Sequence, residues 1–150
     1  EYRADMGDDL SVTFDQLLTR VDIIPVALVL VQTANESAWG TSRFALKGYN
    51  FFGLWCFKKG CGFVPKRRDE DAEHEVAKFN NLSRAMYTYM RNLNRHDAYR
   101  EMRNIRKQLR SKMEPISAVA LSEGLTKYSQ RGDDYVVELK QMIRVNREHM

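Results

Sequence analysis

The residue best suited to chemistry in this 150-residue chain is a carboxylate that follows an apolar segment. Glu36 comes shortly after the nearly continuous apolar run Val26–Val31 and shortly before Trp39. Burial beside an aromatic ring raises the pKa of a carboxyl group, because desolvation disfavours the charged form. Such a group keeps its proton near neutral pH and can act as a general acid on a glycosidic oxygen. On position alone, a structural Glu at a helix end is the commoner explanation.

A glycosidase of the usual kind also needs a second carboxyl group. The acidic side chains between residues 66 and 75 supply candidates, although most are typical of a solvated loop. Glu75 is the best of them, because it begins the strand-like segment Glu75–Phe79 and a strand can direct it into a cleft. A charge on the strand surface explains Glu75 equally well. The candidates are Asp69, Glu70, Asp71, Glu73 and Glu75.

Aromatic side chains are concentrated near these acids, and sugar rings stack their apolar C–H faces on aromatic planes. We therefore expect some of them to contact a sugar, while others pack in the core. Later in the chain, Tyr135 has the spacing of a core residue. Tyr128 lies in the turn before the last predicted helix and is freer to contact a ligand. The first group is Trp39, Tyr49, Phe51, Phe52, Trp55 and Phe57.

The two cysteines, Cys56 and Cys61, can close a small loop if the compartment is oxidising. We favour that loop, and two free thiols in a reducing cytosol remain the alternative. Half of a zinc site is disfavoured, because no second Cys/His pair has matching spacing. Neither a metal motif nor a glycine-rich phosphate loop occurs, so we expect no metal and no cofactor. A Cys nucleophile paired with His74 has only composition in its favour.

The first two helices are predicted from apolar spacing. The first runs from about Ser11 to Arg20. Pro25 suits the first turn of the second, which should be buried all round and should end near Gly40. The apolar positions of the first are Phe14, Leu17, Leu18 and Val21.

Between Tyr49 and Phe79 glycines recur, and aromatic or β-branched residues alternate with polar ones. This pattern predicts a small lobe of two or three antiparallel strands at about residues 53–80. Helical spacing then returns, and Pro115 can open a helix that ends near Gly124. The later helices have apolar positions at Ala85, Met86, Tyr89, Met90 and Leu93, at Tyr99, Met102, Ile105, Leu109 and Met113, and at Tyr135, Leu139, Met142 and Ile143.

The sequence therefore predicts one domain over residues 1–150. Its class is α+β and mainly α, with a helical body and a small antiparallel β-lobe that leave a cleft. Residues 1–10 are polar and acidic, and we expect them to form a loose lead-in. Because the chain begins at Glu1 rather than Met, we expect that an N-terminal segment such as a signal peptide has been removed.

The charge of the chain limits the classes of partner that the sequence suggests. The net charge is +4 and the pI is about 9.1, which suits nucleic acid, anionic lipid or the acidic bacterial wall. The longest apolar run, Ile23–Val31, is about half the length that crosses a membrane. We interpret the basic stripe on one helix as a solvated face, and nucleic-acid binding is the alternative. The basic clusters are Lys58, Lys59, Lys66, Arg67 and Arg68 on the lobe, and Arg103, Arg106, Lys107 and Arg110 on the helix.

Three segments resemble those of glycoside hydrolase family 73, which comprises bacterial β-N-acetylglucosaminidases with a lysozyme-like helical body. Gln32–Gly40 resembles the catalytic segment around that family's acid, and Asn50–Gly53 is similar to its N-L-F-G segment. Tyr128–Tyr135 resembles its late Y-x-T-D-x-x-Y segment, with one extra residue here. Their order and spacing agree from about Ser11 to Met150, and three motifs in order are far more specific than one.

Within that family, further segments are similar to the Bax-type bacterial proteins, which are exported or envelope-associated. That resemblance favours an oxidised Cys56–Cys61 pair and a location in the periplasm or cell envelope. The segments are Trp55–Cys56, Gly60–Gly62, Val64–Arg68, His74–Val76 and Tyr89–Asn94.

The resemblance implies hydrolysis of the β-1,4 bond after N-acetylglucosamine in peptidoglycan, with Glu36 as the acid and Tyr128 near the cleaved bond. It implies less about the second carboxylate, because Pro65–Arg68 has no acid that matches the family's. Glu75 therefore stays ahead of Asp69 and Glu70. The residues expected to bind substrate are Trp39, Asn50, Phe52 and Tyr135.

Other activities stay open at this point. A Glu-Ser pair at a helix end is shared across lysozyme-like folds, so a muramidase or lytic transglycosylase acting on the same polymer is an alternative. A cell-wall-binding module without catalysis is another. We expect the partner to be the peptidoglycan glycan strand rather than nucleic acid.

Overall fold

The computed structural model describes residues 10–65 and 74–150, and most of these residues are helical. The predicted α+β, mainly α, class is confirmed. Of the lead-in predicted at residues 1–10, residues 1–9 lie outside the described residues, and Leu10 already belongs to the first helix. The basic residues Lys66–Arg68 and the acids Asp69–Glu73 also lie outside the described residues. The helices are α1 Leu10–Arg20, α2 Val26–Glu36, α3 Arg43–Gly48, α4 Leu82–Arg95, α5 Arg100–Ser111, α6 Ala118–Ser122 and α7 Asp133–Val145.

The predicted lobe is a three-stranded antiparallel sheet with strand order β1-β3-β2. Strand β3 is central, because it pairs with β1 on one side and with β2 on the other. Glu75 of β3 lies opposite Cys56, and Val76 lies between Trp55 and Phe63. The strands are β1 Trp55–Cys56, β2 Gly62–Phe63 and β3 Glu75–Ala77.

Internal contacts group the chain into two units. We call them the terminal unit, Glu1–Val31 with Met90–Met150, and the inserted unit, Gln32–Tyr89. Each has its own buried apolar side chains. In the terminal unit they include Leu28, Leu93, Met102, Leu121, Tyr135 and Leu139, and in the inserted unit Ala45, Phe52, Leu54, Ala85 and Tyr89.

The burial of the first two helices differs from prediction. In α2, Leu28 and Val31 are buried, but Val26 is 70% exposed, so this helix is not buried all round. In α1, Phe14 and Leu18 are exposed, although they lie on the apolar face that the sequence predicts. Periodicity identifies a helix, but it does not determine which face the neighbouring elements cover. Among the described residues, no helix is both long and apolar enough to cross a membrane.

The interpretation of the basic stripe on α5 as a solvated face is wrong for two of its four residues. Arg103 and Arg106 are 2% and 1% exposed. Arg106 donates to the backbone oxygens of Thr19, Asp22 and Ile23 at 3.0, 3.2 and 2.9 Å. Guanidinium groups have several donors in one plane, so one buried side chain can satisfy several carbonyls at once.

Two helix ends also differ from prediction. The helix expected to open at Pro115 begins at Ala118, where the Ser117 side chain accepts a hydrogen bond from Ala120 N. Met113, predicted to lie on the apolar face of α5, follows the end of that helix and is exposed. The hydroxyl cap and the early helix end both depend on local backbone geometry.

Candidate functional site

The chain turns sharply directly after Glu36, the last residue of α2. Ser37 Oγ donates to Thr33 O at 2.6 Å and accepts from Gly40 N at 2.7 Å. The next residues, Ala38 and Trp39, have positive φ angles of 50° and 57°. This turn ends α2 and leaves Glu36 as the last residue of the helix.

The Glu36 carboxyl group lies against the backbone of Gly53, and both residues belong to the inserted unit. A Cβ atom at Gly53 would lie 2.6 Å from Glu36 Oε2, which is closer than atoms of that kind approach. Gly53 also has a φ of +63°, a conformation that favours glycine. Glu36 itself is half-buried. The last residue of the Asn50–Gly53 motif therefore makes the space that the carboxyl group occupies.

Buried side chains support both partners of this contact. Gln32, one helical turn before Glu36, accepts a hydrogen bond from the Tyr89 hydroxyl at 2.6 Å. The Tyr89 ring stacks on Phe52, the neighbour of Gly53, with ring centroids 4.3 Å apart. Gln32, Tyr89 and Gly53 were not predicted from the sequence as individual site residues. The sequence pattern that indicates Gln32 is a polar side chain directly after an apolar run in the same helix.

Asn50 shapes the turn before Gly53. Its Nδ2 donates to Leu54 O and Ala77 O at 2.8 and 2.9 Å, and its Oδ1 accepts from Leu54 N at 3.0 Å. Asn50 and Phe52 are both almost fully buried. Their predicted contact with substrate stays a prediction, and their burial and partners favour a role in positioning neighbouring residues.

Trp39 is the most exposed of the four predicted substrate-binding residues. Its side chain is 70% exposed, and Trp39 N donates to Ala34 O at 2.8 Å. The ring follows the acid by three residues and is available to a ligand. Its predicted contact with substrate stays a prediction.

The predicted tyrosines belong to the terminal unit. The rings of Tyr128 and Tyr135 are parallel, with centroids 5.7 Å apart, and Tyr99 lies 5.7 Å from Tyr128 on a tilted plane. Tyr135 is fully buried, and its predicted contact with substrate stays a prediction. Tyr128 is half-buried and is oriented by the other two rings. Tyr99 was predicted from the sequence only as an apolar position of a helix, and its contact with Tyr128 was not predicted.

Glu75 is only 5% exposed, and both of its carboxylate oxygens accept backbone hydrogen bonds. Oε1 accepts from Gly60 N at 2.9 Å, and Oε2 accepts from Gly62 N at 2.8 Å. These bonds lie within the lobe and tie the carboxylate to the chain around Cys61. The catalytic role predicted for Glu75 stays a prediction, and its contacts favour a positioning role.

The predicted disulfide between Cys56 and Cys61 is present, with Cα atoms 6.2 Å apart. The sulfurs and a Glu75 carboxylate oxygen lie within 4.8 Å of one another. Sulfurs that are bonded to each other cannot act as thiolate ligands, so this cluster does not hold a metal in the oxidised chain. The free-thiol alternative is not the state of this structure.

The chain matches a known protein family over most of its length. The family model described as mannosyl-glycoprotein endo-beta-N-acetylglucosaminidase matches residues 12–148. The chain belongs to this glucosaminidase family, in agreement with its resemblance to glycoside hydrolase family 73. Membership supports a glycan hydrolase kind of function and a glycan substrate.

A curated relative, Protein bax of Escherichia coli (strain K12), is 35% identical over 129 residues. The match covers 86% of this chain and 45% of the relative, so the chain spans less than half of that protein's length. No solved structure matches significantly.

Proposed function

We propose that this chain hydrolyses the β-1,4 bond after N-acetylglucosamine in peptidoglycan strands, with Glu36 as the general acid. The observation that carries the proposal is the contact between the Glu36 carboxyl group and the Gly53 backbone. The carboxyl group at the end of α2 occupies space that any side chain at position 53 would fill. Family membership supports the glycan substrate.

The acid step follows from this placement. Glu36 transfers its proton to the glycosidic oxygen as the bond from that oxygen to the anomeric carbon breaks, and a nucleophile bonds to the same carbon. Water supplies the hydroxyl group of the new reducing end. Its proton passes to the Glu36 carboxylate if the substrate's acetamido oxygen attacks first, or to a second carboxylate if water attacks directly. General acid catalysis of this kind contributes a factor of about 10²–10⁴ to the rate. The step requires that Glu36 holds its proton before the bond breaks.

The nucleophile that bonds to the anomeric carbon has two candidates, an activated water molecule and the substrate's own acetamido oxygen. An inverting hydrolase uses a carboxylate about 6.5–9.5 Å from the acid to activate water. Glu75 is only 5% exposed, and each of its oxygens already accepts a backbone hydrogen bond, so the carboxylate has little contact with water. We therefore prefer attack by the substrate's own acetamido oxygen. The role of Tyr128 near the cleaved bond stays a prediction from the family resemblance.

The stereochemistry of the product distinguishes these two routes. Attack by water on the opposite face inverts the anomeric carbon, whereas two successive displacements through the acetamido group retain it. Proton NMR of the first product formed from a chitooligosaccharide or glycan fragment should show the β-anomer. If the α-anomer forms first, the acetamido route is wrong, and water activated by a second carboxylate is the nucleophile.

The proposed location is the periplasm or cell envelope. The Cys56–Cys61 disulfide supports it, because disulfides persist in oxidising compartments. The buried Arg103 and Arg106 remove half of the stripe that favoured nucleic-acid binding.

Mass spectrometry of reduced products tests the bond. Digested peptidoglycan should release fragments that end in reduced N-acetylglucosamine. Fragments that end in reduced muramic acid would identify a muramidase, and anhydro-muramic ends would identify a lytic transglycosylase. No release of fragments, with binding retained, would identify a wall-binding module.

A further inference from the structure

The loop between Cys56 and Cys61, here called the disulfide loop, carries exposed aromatic and basic side chains. Trp55, directly before it, is 51% exposed and Phe57 is 75% exposed. Lys58 and Lys59 follow and are exposed too. These four residues, which we call the aromatic–lysine surface, all belong to the inserted unit.

Glu75 holds the disulfide loop through hydrogen bonds to its backbone. The two amides that its carboxylate accepts, Gly60 N and Gly62 N, lie on either side of Cys61. Glu75 is also the partner of Cys56 in the pairing of β1 with β3. One buried carboxylate and one disulfide therefore restrain both ends of the loop.

Backbone contacts further limit the loop. Cys61 N donates to Lys58 O at 3.0 Å, and Lys78 N donates to Cys61 O at 3.2 Å. A Cβ atom at Gly62 would lie 1.9 Å from Val76 O, so this strand approaches β3 as only a glycine allows. A loop fixed in this way loses little conformational entropy when it binds a ligand.

Trp55 is oriented by its neighbour His74. The two rings are stacked, with centroids 4.0 Å apart and planes 14° apart. An exposed aromatic ring held flat suits the apolar face of a sugar. The two adjacent lysines suit a carboxylate, and opposite charges attract weakly but measurably at such an exposed position.

Building on the proposed function, we propose that the aromatic–lysine surface binds an acidic N-acetylated glycan that carries a peptide carboxylate. Glu75 acts there as a positioning residue. The sugar ring stacks on Trp55 or Phe57, and the carboxylate pairs with Lys58 and Lys59. Glu75 and the disulfide preset the loop, and neither contacts the reacting atoms.

Binding can be separated from cleavage in a Glu36→Gln background. The probe is purified intact peptidoglycan, and the measurement is the fraction of protein that sediments with it. Trp55→Ala with Phe57→Ala, and separately Lys58→Ala with Lys59→Ala, should each weaken binding about fivefold or more. Added salt should reduce the lysine effect alone, because salt screens exposed charges.

Matched controls come from the exposed surface of the terminal unit. Phe14→Ala removes an equally exposed ring, and Lys112→Ala with Lys127→Ala removes the same two charges. Both should bind the wall like the background. Equal binding by the loop variants and these controls would overturn the proposed surface.

Glu75→Gln distinguishes positioning from catalysis. The amide accepts at one oxygen only, so one of the two backbone bonds is lost and the loop loosens. In the chain with Glu36 intact, we expect KM to rise about fivefold while kcat changes less than about threefold. Cys56→Ser with Cys61→Ser should act in the same direction. A fall in kcat of about 100-fold or more with unchanged binding would make Glu75 a catalytic base instead.

The two proposals fail separately. Cleavage by the intact chain with no loop effect on binding would refute this surface and leave the hydrolase standing. Loop-dependent binding of the wall without any cleavage would refute the hydrolase and leave the surface standing.

Discussion

Glu36 and Gly53 are in direct contact, and the missing side chain of Gly53 provides the space for the Glu36 carboxyl group. A methyl group at that position would lie 2.6 Å from Glu36 Oε2. Glu36, the proposed acid, therefore lies against Gly53, which follows it by 17 positions in the chain.

Gly53→Ala should lower kcat by on the order of 100-fold, because the new methyl group displaces the carboxyl group from its proton-transfer geometry. Peptidoglycan turnover by the purified variant measures this. Gly132→Ala is the matched control, since Gly132 also has a positive φ of 56° but no atom would lie within 4 Å of its Cβ. Equal loss in both variants would mean that backbone strain, rather than the displaced acid, is the cause.

Tyr89→Phe should lower the free energy of unfolding by about 1–2 kcal/mol and reduce activity several-fold. The change removes the hydrogen bond to Gln32 but keeps the ring on Phe52. Urea unfolding and peptidoglycan turnover provide the two measurements. Tyr87→Phe removes a hydroxyl from an exposed tyrosine on the same helix and should lower both quantities less than Tyr89→Phe does. Unaltered activity in Tyr89→Phe would exclude Gln32 and Tyr89 from positioning the acid.

Arg106→Met should destabilise the chain by about 2–4 kcal/mol, because buried carbonyl oxygens of the α1–α2 connection lose their donor. Burial lowers the pKa of Arg106 to about 10, so it stays charged at neutral pH. Lys107→Met is the exposed control on α5 and should cost less than about 0.5 kcal/mol. A similar small loss in both variants would show that the buried guanidinium does not hold that connection.

Acid should weaken the terminal unit through Asp22. A side-chain hydrogen bond from Arg110 holds the pKa of Asp22 below its ordinary value of 3.8. The folded state therefore gains stability from this carboxylate above 3.8, and loses it as the pH falls towards the lowered pKa. Asp22→Asn should unfold more easily than wild type at pH 7, and the difference should shrink below pH 3.8. A difference that is constant with pH would exclude the ion pair as its cause.

The sequence predicted what depends on local pattern. Helical spacing identified α4 and α7 with the correct buried faces, and glycine recurrence identified the sheet. The motif around Glu36 located the candidate acid.

Contacts between distant segments could not be predicted. The partners of Glu75 are backbone amides 13 and 15 positions away, and only the pairing of strands brings them together. Arg106 likewise donates to backbone carbonyls more than 80 positions away in the chain. A residue that belongs to a basic stripe in the sequence is therefore buried in the fold. Tertiary packing decides such cases.

The general-acid role of Glu36 is tested most directly by digestion of purified peptidoglycan with wild type and Glu36→Gln, followed by mass spectrometry of the reduced fragments. Gln has nearly the same shape but cannot donate the proton, so fragment release should fall by about 10²-fold or more while the thermal unfolding midpoint stays close to wild type. Release at the wild-type rate by a folded Glu36→Gln variant would contradict the assignment of Glu36 as the acid.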